Sequence, residues 1–336
     1  MNPALLNLLV FGGFVLLAWL AYRIFEKKDL LQSKIKKEKT LTEDILKQLF
    51  HVEESKSNAT LDNLSGALQL KRKSIFPVVE NMTKNGLVSL DNNRIELTEE
   101  GRTYALRIIR VHRLWEKYLA ERTGHHASDW HSLAEKMEHK LSDEQTLQLE
   151  STLGNPMFDP HGDPIPNELG EISDIAWTPL PSYSLNNPGK IVHIEDEPEV
   201  IYRQILDKRL FVGSHIKLVE RNSNEVKFLC EGVEHHFSSI VAANIHVAEL
   251  NANEIFEENA LRLSALTEGE NAQVIGLSKE CRGANRRRLL DLGILPGTAI
   301  EIDLKSPLKD PIAYRVRNTS IALRKSLSDL ILINKS

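Results

Sequence analysis

The stretch SIFPVVENMTKNGLVSLDNNRIELT, residues 74–98, contains both a helical pattern and a hairpin pattern. Its first half carries apolar side chains at helical spacing and ends at Asn85–Gly86, a typical helix stop. Its second half alternates around the turn residues 91–93, which predicts a β-hairpin. Two further helical patterns precede it, at 41–54 and 60–70. Three helices followed by a hairpin predict a winged helix-turn-helix, an architecture that binds DNA.

The N-terminal stretch ALLNLLVFGGFVLLAWLAY, residues 4–22, contains no charged side chain. It is long enough to cross a bilayer as a helix, with Trp19 and Tyr22 as interfacial anchors. A cleaved signal peptide is the alternative, but no Lys or Arg precedes the apolar run. Basic residues follow it, so the C-terminal bulk is expected in the cytoplasm. We therefore predict a single-pass anchor at 1–25, localised to the inner (cytoplasmic) membrane, and a basic linker at 26–40.

The rest of the 336-residue chain is long enough for several modules. We predict four, with the boundaries 41–106, 107–172, 189–250 and 261–335. The third and fourth both alternate in hydrophobicity, with one helix after the first strand, which predicts two small β-barrels. The net charge of −5 gives no global case for nucleic-acid binding, so any DNA contact requires a local basic patch. The two cysteines exclude a disulfide framework.

The stretch WHSLAEKMEHKLSDE, residues 130–144, places four polar residues within an arc of about 100° on one helix face. They are His131, Glu135, Glu138 and His139. A second pair, His112 and Glu116, stands one turn apart on the preceding helix. Carboxylates and imidazoles that converge from neighbouring turns can bind a divalent cation. The same spacing also suits ordinary surface ion pairs, so spacing alone does not decide.

Three motifs in order resemble the DtxR/MntR family of metal-dependent transcriptional regulators, the iron-dependent repressor family. After the winged helix come VHRLWEKYL (111–119), WHSLAEKMEHKLSDE and DPHGDPIP (159–166). The resemblance extends into 189–250, which looks like that family's SH3-like domain. Residues 261–335 contain RRRLLDLGILPGTAIEI (286–302) and SPLKDPIAYRVRNTSIALRK (306–325). On these stretches they resemble FeoA, a small protein of ferrous-iron uptake. The apolar run and the resemblance together predict a multidomain α+β fold. The run gives the N-terminal transmembrane helix, and the resemblance implies a winged helix-turn-helix, an all-α metal-binding and dimerisation domain, and two small SH3-like β-barrels.

The resemblance also implies two metal sites. The principal site maps to Asp44, Glu135, Glu138 and His139, and the second site to His112, Glu116 and His131. Iron-type members carry cysteine where Glu135 stands and methionine where Asp44 stands; hard oxygen ligands favour Mn²⁺, with Fe²⁺ still possible. Lys47 replaces a glutamate of manganese-type members, which argues against a binuclear principal site. Glu199 is the nearest candidate for a ligand from the SH3-like module.

The third helix of the winged domain carries the predicted DNA contacts. Lys71, Arg72 and Lys73 are placed for phosphates, and Ser74 is the expected N-cap. Pro77 stands where the family has a polar base-reading residue, and a late helix start would put it in the first turn, where proline is tolerated. The alternative is a DNA-silent winged helix kept as a scaffold.

The function predicted from these features is a membrane-anchored, homodimeric, DNA-binding transcriptional regulator that responds to Mn²⁺ or Fe²⁺. The metal would bridge the first winged-domain helix to the dimerisation helices. The alternative is a metal-sensing accessory subunit of a membrane iron or manganese transporter, contacted through the FeoA-like domain. No nucleophile–base arrangement or nucleotide-binding fingerprint occurs, so we predict no enzyme.

Overall fold

The structure, a computed structural model, describes residues 3–91, 94–173, 176–308 and 310–335. Within the first thirty-one residues it describes the helical backbone and the side chains of Trp19, Tyr22, Arg23 and Glu26 only. The chain divides into two compact units, Met1–Ile109 and Arg110–Ser336.

The first unit is a winged helix. Its elements are α1 (Pro3–Glu54), α2 (Leu61–Ala67), α3 (Arg72–Lys84), β1 (Val88–Asp91), β2 (Arg94–Leu97) and the start of α4 (Glu99–Arg122). The two strands pair antiparallel in the register Val88↔Leu97. Apolar residues of all three helices and of the hairpin are buried together; they include Ile45, Leu64, Ile75, Val79 and Ile95. Three helices and a two-stranded wing thus share one core.

Helix α1 corrects the predictions for the N-terminus. It runs without a break from Pro3 to Glu54, so the apolar run at 4–22 begins a 52-residue helix that continues through the charged stretch. Among the residues that the structure describes, no helix is both long enough and apolar enough to cross a membrane. The transmembrane anchor at 1–25, its place in the fold class and the inner-membrane localisation were therefore wrongly predicted.

Helix α3 begins earlier than predicted. Lys71 is its N-cap, because the Ser74 N–H donates to the Lys71 carbonyl at 2.8 Å and closes the first turn there. Ser74 is therefore inside the helix and does not cap it. Pro77 lies in the second turn, where its missing N–H leaves the Lys73 carbonyl without an α-helical donor. The helix nevertheless continues to Lys84.

The second unit starts with a helical segment: the rest of α4, then α5 (Trp130–Glu138) and α6 (Asp143–Thr152). Helix α5 is short and ends at His139, its C-cap. Helix α6 opens with a capping box in which the Ser142 hydroxyl accepts the Gln145 N–H and the Gln145 side chain accepts the Ser142 N–H. These caps explain why the chain turns sharply between α5 and α6.

A first six-stranded sheet follows, with the strand order β3-β8-β4-β5-β6-β7. Its strands are β3 (Thr178–Pro179), β4 (Pro188–Ile194), β5 (His215–Arg221), β6 (Glu225–Cys230), β7 (Val233–Ser238) and β8 (Ile245–Glu249). Helix α7 (Glu199–Asp207) follows β4, and α8 (Ser239–Ala242) precedes β8. The sheet shares one core with the helical segment, since Leu119 and Trp130 pack with Ile191, Ile205 and Phe228. The helical segment and this β domain are therefore one packed body.

A second six-stranded sheet has the order β13-β12-β11-β10-β14-β9. Its strands are β9 (Leu261–Arg262), β10 (Asn271–Leu277), β11 (Ala299–Lys305), β12 (Ile312–Val316), β13 (Thr319–Leu323) and β14 (Ile331–Lys335), with α9 (Gly283–Asp291) after β10 and α10 (Lys325–Ser328) before β14. It has its own core around Val274, Leu289 and Tyr314.

A polar contact at Glu231 joins the two β domains. Glu231 follows β6 and is buried; its Oε2 lies 2.7 Å from Arg262 Nη2, and its Oε1 accepts from the hydroxyl of Ser278 at 3.1 Å. Next to it, Gly232 has a φ of +74°, and a Cβ there would lie 1.7 Å from the Ala260 carbonyl oxygen. A side chain at position 232 would therefore clash with the Ala260 backbone, so the chain segments of the two domains are in close backbone contact here.

Candidate metal centre

His112, Glu116 and His131 lie together on the helical segment. His112 and Glu116 are one turn apart on α4, with His112 Nε2 3.1 Å from Glu116 Oε1. His131, on the first turn of α5, places Nδ1 3.4 Å from the same oxygen. Glu116 is buried, and only 2% of its side chain is exposed. These are the residues of the predicted second site, and Glu116 is at their centre.

Two further residues complete the cluster. His161 Nε2 lies 3.7 Å from Glu116 Oε1, and Asp196 Oδ2 lies 3.0 Å from His131 Nδ1 and 3.9 Å from His161 Nε2. The ligand atoms of Glu116, His161 and Asp196 lie within 4.8 Å of one another, as do those of His112, Glu116 and His131. Because Glu116 belongs to both sets, we treat the five residues as one group, the Glu116 cluster.

Sequence reasoning missed both His161 and Asp196. His161 belongs to the DPHGDPIP motif that carried the resemblance, but no ligand role was assigned to it. Asp196 comes two residues after β4, whereas the residue suggested from this module was Glu199. Glu199 instead begins α7 and pairs with Arg203 one turn on. The loop after β4 carries three neighbouring carboxylates, and neither their charge nor their spacing shows which of them joins the cluster. The position of β4 against α4 decides it.

The loop before the first sheet positions His161. Asp159 Oδ1 accepts the backbone N–H groups of His161, Gly162 and Asp163 at 2.8 to 2.9 Å. Gly162 has a φ of +99°, and a Cβ there would lie 2.0 Å from the Val192 carbonyl oxygen. The glycine therefore lets the loop press against β4, and the aspartate holds the turn that points His161 into the cluster.

The charges of the cluster are strongly coupled. Burial alone would raise the pKa of Glu116, but the neighbouring His112 and His161 hold it well below its usual range. Burial alone would lower the pKa of His131, but the neighbouring carboxylates of Asp196, Glu116 and Glu135 raise it to about 12. The pKa of His161 rises to about 10 for the same kind of reason, with Glu116 and Asp196 as the main carboxylates. Without a metal, the carboxylates therefore hold protons on the imidazoles.

The geometry of the cluster fits a divalent ion. With ligand bonds of about 2.1 Å, adjacent donors of an octahedron are about 3.0 Å apart and opposite donors about 4.2 Å. The donor pairs measured above span 3.0 to 3.9 Å. Glu116 Oε1, His131 Nδ1 and His161 Nε2 are buried atoms without a hydrogen-bond partner of acceptable geometry among the described residues. His131 and His161 each belong to a three-residue group that contains Glu116, so a bound ion would give these buried atoms a partner.

The residues of the predicted principal site lie on two units. Glu138 and His139 stand at the end of α5, with the buried Glu138 hydrogen-bonded to His112 Nδ1. Glu135 is half-exposed and lies 3.6 Å from His131 Nε2. Asp44 lies on α1 in the first unit. A principal site that joins Asp44 to the other three residues stays a prediction.

The predicted DNA contacts all lie at the exposed start of α3. Lys71, Arg72, Lys73 and Ser74 are solvent-exposed, and Arg72 pairs with Asp62 of α2 at 3.3 Å. Phe76, 47% exposed, is the largest apolar side chain beside them. The surface is basic, as phosphate contact requires, and it stays a predicted interface.

A winged helix followed by a helical segment with a His/Glu/Asp cluster defines a class: metal-binding winged-helix proteins with appended β domains. Comparison with known proteins identifies the family within that class. The family model for the iron dependent repressor, metal binding and dimerisation domain, matches residues 98–167. The FeoA domain model matches residues 261–335.

Individual relatives agree with these models. The iron-dependent repressor IdeR of Mycobacterium leprae (strain TN) is 30% identical over 179 residues, which is 48% of this chain and 76% of that protein. A solved structure of a manganese-dependent transcriptional repressor in complex with manganese has a TM-score of 0.57 and 25% identity, and the match covers 62% of this chain and 100% of that one. The chain therefore belongs to the DtxR/MntR family of metal-dependent transcriptional repressors.

A relative of another kind matches a shorter part. A probable metal transport system membrane protein of Chlamydia trachomatis serovar D is 40% identical over 85 residues, 25% of this chain and 19% of that protein. The chain thus spans about a fifth of that relative. The predicted cofactor, Mn²⁺ or Fe²⁺, is confirmed at the level of the family, and the repressor relatives agree with the prediction of a protein that is not an enzyme.

Proposed function

We propose that the chain is a DNA-binding repressor whose activity depends on Mn²⁺ or Fe²⁺ held by the Glu116 cluster. The observation that carries the proposal is that three buried atoms without a hydrogen-bond partner among the described residues, from Glu116, His131 and His161, belong to the two three-residue groups that share Glu116. The bound ion supplies a positive charge in place of the protons on the imidazoles. Glu116 and Asp196 supply the negative charge, and three imidazole nitrogens complete a mixed nitrogen and oxygen donor set, which suits both metals.

The cluster draws together four parts of the second unit, one of which is the loop that carries His161. His112 and Glu116 come from α4, His131 from α5, and Asp196 from the loop after β4. Fixing them to one another orders the helices that the family model describes as the dimerisation domain. We propose that this ordering sets the spacing of two winged helices in a homodimer, and so couples metal to DNA affinity. Lys71, Arg72 and Lys73 would hold the phosphates.

The test is selection of genomic DNA fragments by the full chain with and without Mn²⁺ or Fe²⁺, followed by affinity measurement on a recovered fragment at fixed salt. We expect metal to raise the affinity at least tenfold for the wild type. Glu116→Gln should lose that effect, and Glu144→Gln, an exposed glutamate on α6, should retain it. Equal metal dependence in Glu116→Gln would refute the site. DNA binding that ignores metal in the wild type would refute the function.

A second candidate is a metal sensor that acts on a transport protein through the FeoA domain. The similarity to a probable metal transport system membrane protein favours it. Affinity purification of the full chain and of a chain that ends at residue 260 distinguishes the two functions. A metal-transport protein recovered only with the longer chain would support this candidate. Equal recovery with both chains would contradict it.

A further inference from the structure

A basic cleft lies in the second unit, beside the loop that carries His161. Its volume is about 560 Å³. It is bordered by the C-terminal part of α4, the loop at 159–160, Val212 and the start of α9. The basic residues that line it are Lys117, Arg122, Lys279, Arg282, Arg286 and Arg287. A cavity of this size is typical of small-ligand sites.

The positive charge of the cleft is poorly compensated. Its two acidic lining residues are Glu121 and Asp159. Glu121 is matched by Lys117 at 3.2 Å, and Asp159 Oδ1 is occupied by three backbone N–H groups. Among the described residues, Lys279 and the arginines 282, 286 and 287 have no carboxylate within 4 Å. Burial and then Arg286 lower the pKa of Lys279, as expected where cations crowd without a counter-charge.

Arg282 is held in place before any ligand arrives. Its guanidinium lies over the rings of Trp130 at 5.3 Å and Phe211 at 5.7 Å, and its Nε donates to the Lys279 carbonyl at 3.2 Å. The terminal nitrogens remain for a ligand, and a planar guanidinium fork matches phosphate oxygens. A fixed side chain of this kind loses little entropy on binding.

The start of α9 faces the same cleft. Arg282 is its N-cap and Gly283 its first residue, and no side chain caps this end. The first backbone N–H groups of a helix have no partner within the helix, and together with the helix dipole they favour an anion. Gly283 has a φ of +56°, and a Cβ there would lie 3.1 Å from the Thr123 carbonyl oxygen, so the glycine lets α9 begin directly against the end of α4.

We propose that this cleft binds a small phosphorylated molecule that carries at least two phosphate groups. Arg282 and the N-terminus of α9 hold one phosphate, and Lys279, Arg286 and Arg287 hold the other. A concave cleft between packed segments suits a compact solute better than the convex backbone of duplex DNA. Trp130, on which Arg282 stacks, directly precedes His131 and lies 6.0 Å from the His161 ring, so the ligand would also hold the start of α5 that serves the Glu116 cluster.

The test is calorimetric titration of inorganic pyrophosphate into the metal-free full chain, in EDTA and at constant ionic strength. We expect one site per chain, and weaker binding of inorganic phosphate. Arg286→Ala with Arg287→Ala removes two charge-assisted contacts from exposed positions and should weaken binding by at least about tenfold. The matched control is Arg288→Ala, an exposed arginine of the same helix that does not line the cleft, and it should bind as the wild type does.

A third variant distinguishes the loss of a ligand contact from a disruption of helix α9. Lys279→Gln lies outside that helix, keeps a long stem against Gly213, and should also weaken pyrophosphate binding. Equal loss in Arg288→Ala would show diffuse charge attraction and overturn the proposal. Absence of binding by the wild type would overturn it as well. The proposal would also be overturned if duplex DNA bound in a manner that depends on Arg286 and Arg287 while pyrophosphate did not bind. The cleft would then be a nucleic-acid surface.

Discussion

Replacing Glu231 with alanine tests how much the polar contact between the two β domains contributes to the free energy of unfolding. Glu231 is 7% exposed and pairs with Arg262, which is 15% exposed. Its other oxygen accepts from Ser278 at 3.1 Å and lies 3.4 Å from the Ser214 hydroxyl. Glu231→Ala removes this acceptor and leaves the guanidinium of Arg262 largely buried. Arg262 keeps the Asp329 carbonyl as an acceptor at 2.5 Å.

The expected cost follows from these contacts. Removing one partner of a buried ion pair costs about 3–5 kcal/mol. Because Arg262 retains one acceptor and some solvent contact, we expect about 2–3 kcal/mol of lost unfolding free energy for Glu231→Ala. Glu231→Gln keeps the hydrogen-bond acceptor but not the charge, and we expect about 1 kcal/mol. For a unit of this size these values lower the melting temperature by about 5–10 °C and 2–4 °C respectively.

Scanning calorimetry of the full chain measures both variants. The matched control is Glu234→Ala, a 58% exposed glutamate on β7, which should change stability by no more than about 0.5 kcal/mol. A double-mutant cycle with Arg262→Met separates the pair from the effect of cavity formation. If Glu231→Ala costs no more than Glu234→Ala, or if the cycle shows no coupling, the reasoning about the domain contact is refuted.

Three further predictions concern the metal and the winged helix. Mn²⁺ at about one hundred times its Kd should raise the free energy of unfolding by about 2.7 kcal/mol, and EDTA should reverse this gain. The gain should be smaller in Asp196→Asn. An equal gain in the wild type and in this variant would argue against Asp196 as a ligand. The raised pKa values of His131 and His161 keep both imidazoles protonated at pH 7 in the metal-free protein. Metal binding should therefore release protons, and the metal affinity should increase as the pH rises. A binding heat that does not depend on the ionisation enthalpy of the buffer would contradict this. Pro77→Ala should raise the free energy of unfolding of the winged helix, measured by urea denaturation, by about 1–2 kcal/mol, because it returns a donor to the Lys73 carbonyl. No change would show that α3 already compensates for the proline.

The elements that the sequence predicted well are those with a strong local period. The hairpin at 88–97, helix α4 and the strands on either side of α7 and α9 all follow from alternation or helical spacing. The start of α3 was predicted wrongly. Ser74 has the side chain that is typical of an N-cap, but Lys71 has the extended backbone conformation of an N-cap and precedes the first helical residue. The anchor prediction was wrong because, among the described residues, no helix is both long enough and apolar enough to cross a membrane.

The metal cluster divides in the same way. His112, Glu116 and His131 lie on neighbouring helices, so helical spacing and the family motif could locate them. His161 depends on the turn that Asp159 holds, and Asp196 depends on where β4 meets the helical segment. Those two positions are set by packing between segments distant in sequence, which periodicity does not record. Their side chains nevertheless make up two of the five residues of the Glu116 cluster.

His112 connects the two sites that the sequence separated. Its Nε2 faces Glu116 at 3.1 Å, and its Nδ1 is hydrogen-bonded to Glu138, a ligand of the predicted principal site. A nitrogen that binds a metal carries no proton, so ligation through Nε2 places the remaining proton on Nδ1, where it is donated to Glu138. His112 and Glu116 would hold the ion in the Glu116 cluster, and the His112 Nδ1–H would then hold the Glu138 carboxylate in one orientation. A metal in the Glu116 cluster would in this way be coupled through one imidazole to a carboxylate of the predicted principal site.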